Sequence, residues 1–114
     1  MPDYMLLLHE RPENFENLSP EEMQGIISRY MSWRTNQSTR VVGGNKLRDD
    51  AGRVIERGKA RAEVRDGPFT ESKEVVSGYF IVSASDYDDA VRIASGCPHL
   101  ELGGRIEVRE IEPT

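Results

Sequence analysis

Ser77-Gly78-Tyr79-Phe80-Ile81-Val82-Ser83-Ala84 decides how this chain is read. Five of its central residues are aromatic, β-branched or glycine, with no charge and no helical spacing, so it reads as a strand covered on both faces. A strand sends successive side chains to opposite sides. Tyr79 and Ile81 therefore take one face, and Phe80 and Val82 the other.

Working outward, Ser85 or Asp86 caps a helix whose stripe is Ala90, Ile93, Ala94 and Cys97. Arg105 to Ile111 is the last strand. Upstream, Tyr4-Met5-Leu6-Leu7-Leu8-His9 is a second apolar run, with Met5 and Leu7 opposite Leu6 and Leu8. Ser19-Pro20-Glu21-Glu22 opens a helix: Ser19 caps, Pro20 needs no N–H partner, and Glu22 completes the capping box. Met23, Ile26, Ile27 and Tyr30 follow at helical spacing, and the helix fades near 36–38. Arg40 to Leu47 is a strand in which Gly43-Gly44 marks a bulge or a close backbone approach. Arg53 to Glu56 and Lys59 to Arg65 make an added hairpin around Arg57-Gly58, and 70–76 a connecting loop or a single helical turn.

The order is βαβ, hairpin, βαβ. Two split βαβ units predict an α+β fold, a ferredoxin-like βαββαβ two-layer sandwich with an inserted β-hairpin. Its sheet order is last, first, third, second, with both helices on one face. The other face then needs cover, because an apolar sheet face of several hundred Å² is unusual on a monomer. A homodimer stacking sheet on sheet, burying on the order of 800 Å² per subunit, supplies it.

Composition narrows the function classes. The 114 residues fit one domain, 1–114. A net charge of -5, with basic residues scattered singly among acids, speaks against nucleic acid and anionic membrane as partners. No apolar run approaches the ~20 residues of a membrane span, and no basic segment precedes the first apolar run as in a signal peptide. One cysteine, Cys97, excludes an internal disulfide and suits a reducing compartment, so a cytoplasmic location is expected. Cys97 itself reads as a buried small hydrophobe, and Trp33 and Tyr30 as core.

Met5-Leu6-Leu7-Leu8, Leu18 to Met23, Val42-Gly43-Gly44, Asp66-Gly67-Pro68-Phe69 through Ile81, and Gly96-Cys97-Pro98 through Arg109 together resemble the YCII-related family in its DGPF branch. The resemblance spans nearly the whole chain. It implies a dimeric α/β barrel of bacterial origin, in a superfamily that also holds small monooxygenases, lactone isomerases and haem enzymes. Some members of the branch are linked to sigma factors of the extracytoplasmic-function type. The archetype's proposed active pair is an Asp with a His on the first helix. No histidine lies between Ser19 and Ser38, so that pair cannot be carried over.

Candidate chemistry therefore rests on topology. The first two strands run one way and the last two the other. That brings the end of the first strand (His9), the connection holding Asp66, and the loop holding His99 to one end of the sheet. His9 as general base with Asp66 as its orienter is the catalytic candidate. Phe69 and His99 are candidate ligand-binding residues. His9 and Asp66 also have bland readings, His9 as a solvated strand-end residue and Asp66-Gly67-Pro68 as a turn. No metal-ligand spacing or nucleotide fingerprint is present, and no cofactor is expected. A small-molecule-binding dimer with acid–base activity is one functional reading. A non-catalytic ligand-binding, regulatory or protein-interaction module is the alternative.

Overall fold

The computed structural model describes residues 1–15, 17–49, 51–67 and 74–114. Among the described residues, six strands and two α-helices run in the order β1 (Asp3–Glu10), α1 (Pro20–Asn36), β2 (Val41–Lys46), β3 (Arg53–Arg57), β4 (Ala62–Asp66), β5 (Val75–Ser83), α2 (Tyr87–Ser95), β6 (Arg105–Glu110), with short 3-10 helices at Pro12–Phe15 and Pro98–Leu100. Four strands form one sheet, β2-β5-β1-β6, and β3-β4 pair separately. Every ladder is antiparallel. The molecule is α+β, compatible with the ferredoxin-like sandwich.

The helix starts form as their side chains dictate. Ser19 Oγ accepts from Glu22 N at 3.1 Å, and Ser19 N donates to Glu22 Oε1 at 3.3 Å, a complete capping box. Of the two candidate caps on α2, Asp86 is the one used, its carboxylate accepting from Asp89 N at 2.8 Å. Arg40 ties the start of β2 to α2 through an ion pair with Asp89 and a 2.8 Å bond from its Nε to Ser83 O. Gly44 adopts φ +155°, and a Cβ there would lie 2.7 Å from Tyr79 O, so the glycine permits the close approach of β2 to β5.

The core lies between the sheet and the helices. Tyr4, Leu6 and Val82 meet Trp33, Ala90, Ile93, Ala94 and Cys97, with Phe80 packed against them. Trp33 meets the Phe80 ring edge-on at 4.9 Å and donates its indole N–H to Ile93 O at 3.2 Å. The register places Leu6 opposite Phe80 and Tyr4 opposite Val82 on the helix side, and Met5 opposite Ile81 and Leu7 opposite Tyr79 on the outer side. Alternation thus splits the strands as the sequence predicts.

Three details differ. The hairpin turn spans 58–61 and is wider than a turn at Arg57-Gly58. In α1, only Trp33 is buried and Ile26 and Tyr30 partly so, while Met23, Ile27 and Met31 are exposed. Helical spacing fixes which residues share a face, but not how far the sheet extends beneath it. On the outer side, Met5, Leu7, Tyr79 and Ile81 are partly shielded, and the most exposed large apolar residues besides Met1 lie on the hairpin, α1 and β2. Among the described residues no helix is long and apolar enough to cross a membrane.

Candidate functional site

His9 is the penultimate residue of β1, between Leu8 and Glu10, whose side chains both turn to the helix side. Its ring therefore points to the outer side. An irregularity in the β1–β5 register between Leu8 and His9 adjusts that direction at the sheet's end. On the other flank His9 faces Arg105 of β6, so Glu107, paired with Leu7, is its diagonal neighbour. Diagonal neighbours on one face lie within reach of long side chains. His9 Nε2 meets Glu107 Oε1 at 3.0 Å.

The hydrogen bond from His9 holds the Glu107 carboxyl below its usual range, helped by Arg109, whose Nη1 is 3.5 Å from Oε2. Nearby, Arg105 Nε donates to Glu74 at 3.0 Å and likewise lowers that carboxyl. A neutral His9 that donates from Nε2 to Glu107 keeps its lone pair on Nδ1. That nitrogen has no hydrogen-bond partner among the described residues.

Behind this face sits His99, 1% exposed. Its Nε2 lies 2.7 Å from His9 O and its Nδ1 2.9 Å from Tyr30 Oη. A carbonyl only accepts, so Nε2 carries the proton, and the neutral ring accepts from the Tyr30 hydroxyl at Nδ1. Burial pushes His99 below the ordinary histidine range and pushes the Tyr30 phenol up. Both ring nitrogens are engaged inside the protein, so His99 acts as a strut from α1 to the end of β1.

Glu10, 7% exposed, lies on the helix side of the same strand end. Desolvation raises its carboxyl, the charge of Asp49 adds to the rise, and Lys46 and Ser77 oppose it. Lys46 Nζ is 2.8 Å from Asp49 Oδ1.

The structure brings His9 and His99 to one end of the sheet through the His99–His9 backbone bond. Asp66 stands elsewhere in chemical terms. It closes β4, its side chain is 93% exposed, and its ion-pair partner is Arg53 at 3.4 Å. His9 is oriented by Glu107 and not by Asp66. Phe69 lies outside the described residues. Sequence reasoning passed over Glu107 and Glu10, and it read Tyr30 as core without its bond to His99. The alternation Arg105-Ile106-Glu107-Val108-Arg109 marks Glu107 as an outward residue, yet only the β1–β6 register sets it beside His9.

A cleft of about 410 Å³ runs between α1 and the connection after α2, lined by Arg29, Trp33, Pro98 and Glu101 among others. It does not include the His9–Glu107 pair. Among the described residues no three His, Cys, Asp or Glu side chains cluster as metal ligands. Cys97 is buried and its thiol is pushed up to about 11 by desolvation.

No curated protein matches this sequence. The YCII-related domain model matches residues 3–114, and the chain accordingly belongs to that family.

Proposed function

We propose that this protein is a homodimeric, small-molecule-binding member of the family's DGPF branch, bacterial and cytoplasmic, with His9 as an acid–base group oriented by Glu107. The 3.0 Å His9–Glu107 contact on the outer side of the sheet carries this reading. In a dimeric α/β barrel a second copy faces that side, so the pair looks into the space between two sheets. There the Nδ1 lone pair takes a proton from a bound carbonyl-bearing or aromatic metabolite. The Glu107 carboxylate fixes the tautomer and stabilises the imidazolium that forms. Asp66 has no part in the step.

Light scattering should give twice the 12.9 kDa chain mass at micromolar concentration. A panel of small carbonyl and aromatic acids, screened by thermal shift, should contain compounds that stabilise the wild type. The same compounds should shift His9→Ala and Glu107→Gln much less. Equal shifts in all three proteins would remove the site.

The second reading is a non-catalytic ligand-binding, regulatory or protein-interaction module, including a partner of sigma-factor transcription. It is favoured by the exposure of apolar residues on the hairpin and on α1. Ligand-induced stabilisation without turnover in the same panel would select it.

A further inference from the structure

We propose that the β3–β4 hairpin is an arm that packs onto a second copy of this chain. The inference rests on the homodimer reading above and adds to it a contact that the sheet face does not make.

Ile55 pairs directly with Val64, so both side chains stand on one face of the hairpin. They are 69% and 61% exposed. Ala62, two residues from Val64 on the same strand, is exposed on that face as well. The hairpin forms its own two-stranded sheet, and a two-stranded sheet left uncovered in water is marginally stable. Its ties within the hairpin include the ladder, the Arg65–Glu56 and Arg53–Asp66 ion pairs, a 2.9 Å turn bond from Gly58 N to Arg61 O and a 3.0 Å bond from Gly67 N to Gly52 O at its base. None of these covers the Ile55–Val64 face.

The area points to what does. The chain exposes 8151 Å², where a compact monomer of its mass exposes roughly 6,300 Å². The excess, about 1,800 Å², is more than the ~800 Å² each partner buries in a standard interface. The Cα radius of gyration tells the same story, 16.0 Å against about 13 Å for a compact domain of this length.

Charge selects the partner. The hairpin tip carries Arg57, Lys59 and Arg61, exposed and without an ion pair among the described residues. The chain as a whole carries -5, so a second copy is on balance an acidic partner for that basic tip. Two arms related by a two-fold axis close reciprocally, and the charged tips disfavour open-ended strand addition.

Two measurements on the full chain test the arm. Sedimentation should show Ile55→Asp/Val64→Asp dimerising at least tenfold more weakly than wild type, with unchanged far-UV circular dichroism. A photo-crosslinker on Ile55→Cys, where buried Cys97 stays unlabelled, should join two copies, with mass spectrometry placing the link between chains. A dimeric wild type whose variant associates equally well, or whose crosslinks stay within one chain, overturns the arm and leaves the homodimer standing. A monomeric wild type at 100-fold the working concentration overturns both. Crosslinks only to another protein or to nucleic acid in lysate, with none between copies, also overturn it.

Discussion

A Cβ on Gly104 would lie 2.2 Å from Nε2 of His99, whose ring is locked at both nitrogens. Gly104→Ala should therefore destabilise the fold by about 1–3 kcal/mol, the range for overpacking, read from the urea midpoint. An unchanged midpoint would mean that the ring turns freely. The same histidine sets a pH dependence. Its native value lies below the unfolded one, so the fold favours the neutral ring. Above about pH 6.5 neither state takes the proton. As the pH falls through that value the unfolded chain gains it first, and stability drops until the native ring titrates too. His99→Gln should flatten the loss on acidification from neutrality. Glu10 works in the opposite direction: its native carboxyl is raised, so stability falls as pH climbs from about 4.3 through that raised value. Glu10→Gln should remove that slope in urea titrations.

At the scale of elements, α1 illustrates what periodicity can and cannot tell. Its start is local chemistry, and Ser19→Ala should cost about 1 kcal/mol through the lost cap. Its anchor is tertiary. Trp33 packs on Phe80 and donates to Ile93 O, so Trp33→Ala should cost about 3–5 kcal/mol. Met31 is exposed, and Met31→Ala should stay within about 0.5 kcal/mol of wild type. Thermal or urea unfolding orders the three. Met23 and Ile27 share only helical spacing with Ile26 and Tyr30. They are exposed because burial depends on where the sheet ends, which no local pattern encodes. The strands were more legible. Alternation alone sorted Met5, Leu7, Tyr79 and Ile81 from Leu6, Phe80 and Val82, since the strand period is fixed by backbone geometry.

For the whole molecule, the contrast between the four-stranded sheet and the hairpin is the feature to measure. Amides of β1 and β5 sit in the middle of the sheet and should exchange slowly at every concentration. If the arm docks on a second copy, amides of 53–66 should gain protection as protein concentration rises through the dimerisation range. Concentration-independent exchange there would leave the hairpin free. The shared end of the sheet was legible too, because strand directions follow from the order of elements. It brings His9 and His99 together through a backbone bond. The partner of His9 was not legible. Asp66 lies on the correct connection, but that connection is a projecting hairpin, and its carboxylate turns to Arg53.

The sequence by itself determined the elements, their order, the two faces of each strand and the capped helix starts, because each follows from forces acting within a few residues. Only the tertiary structure decided that Glu107 orients His9, that Tyr30 and His99 brace the end of β1, and that Glu10 is buried. Those contacts span from 69 to 98 positions in sequence where they are hydrogen bonds. They arise from strand register and helix placement, which are properties of the packed whole.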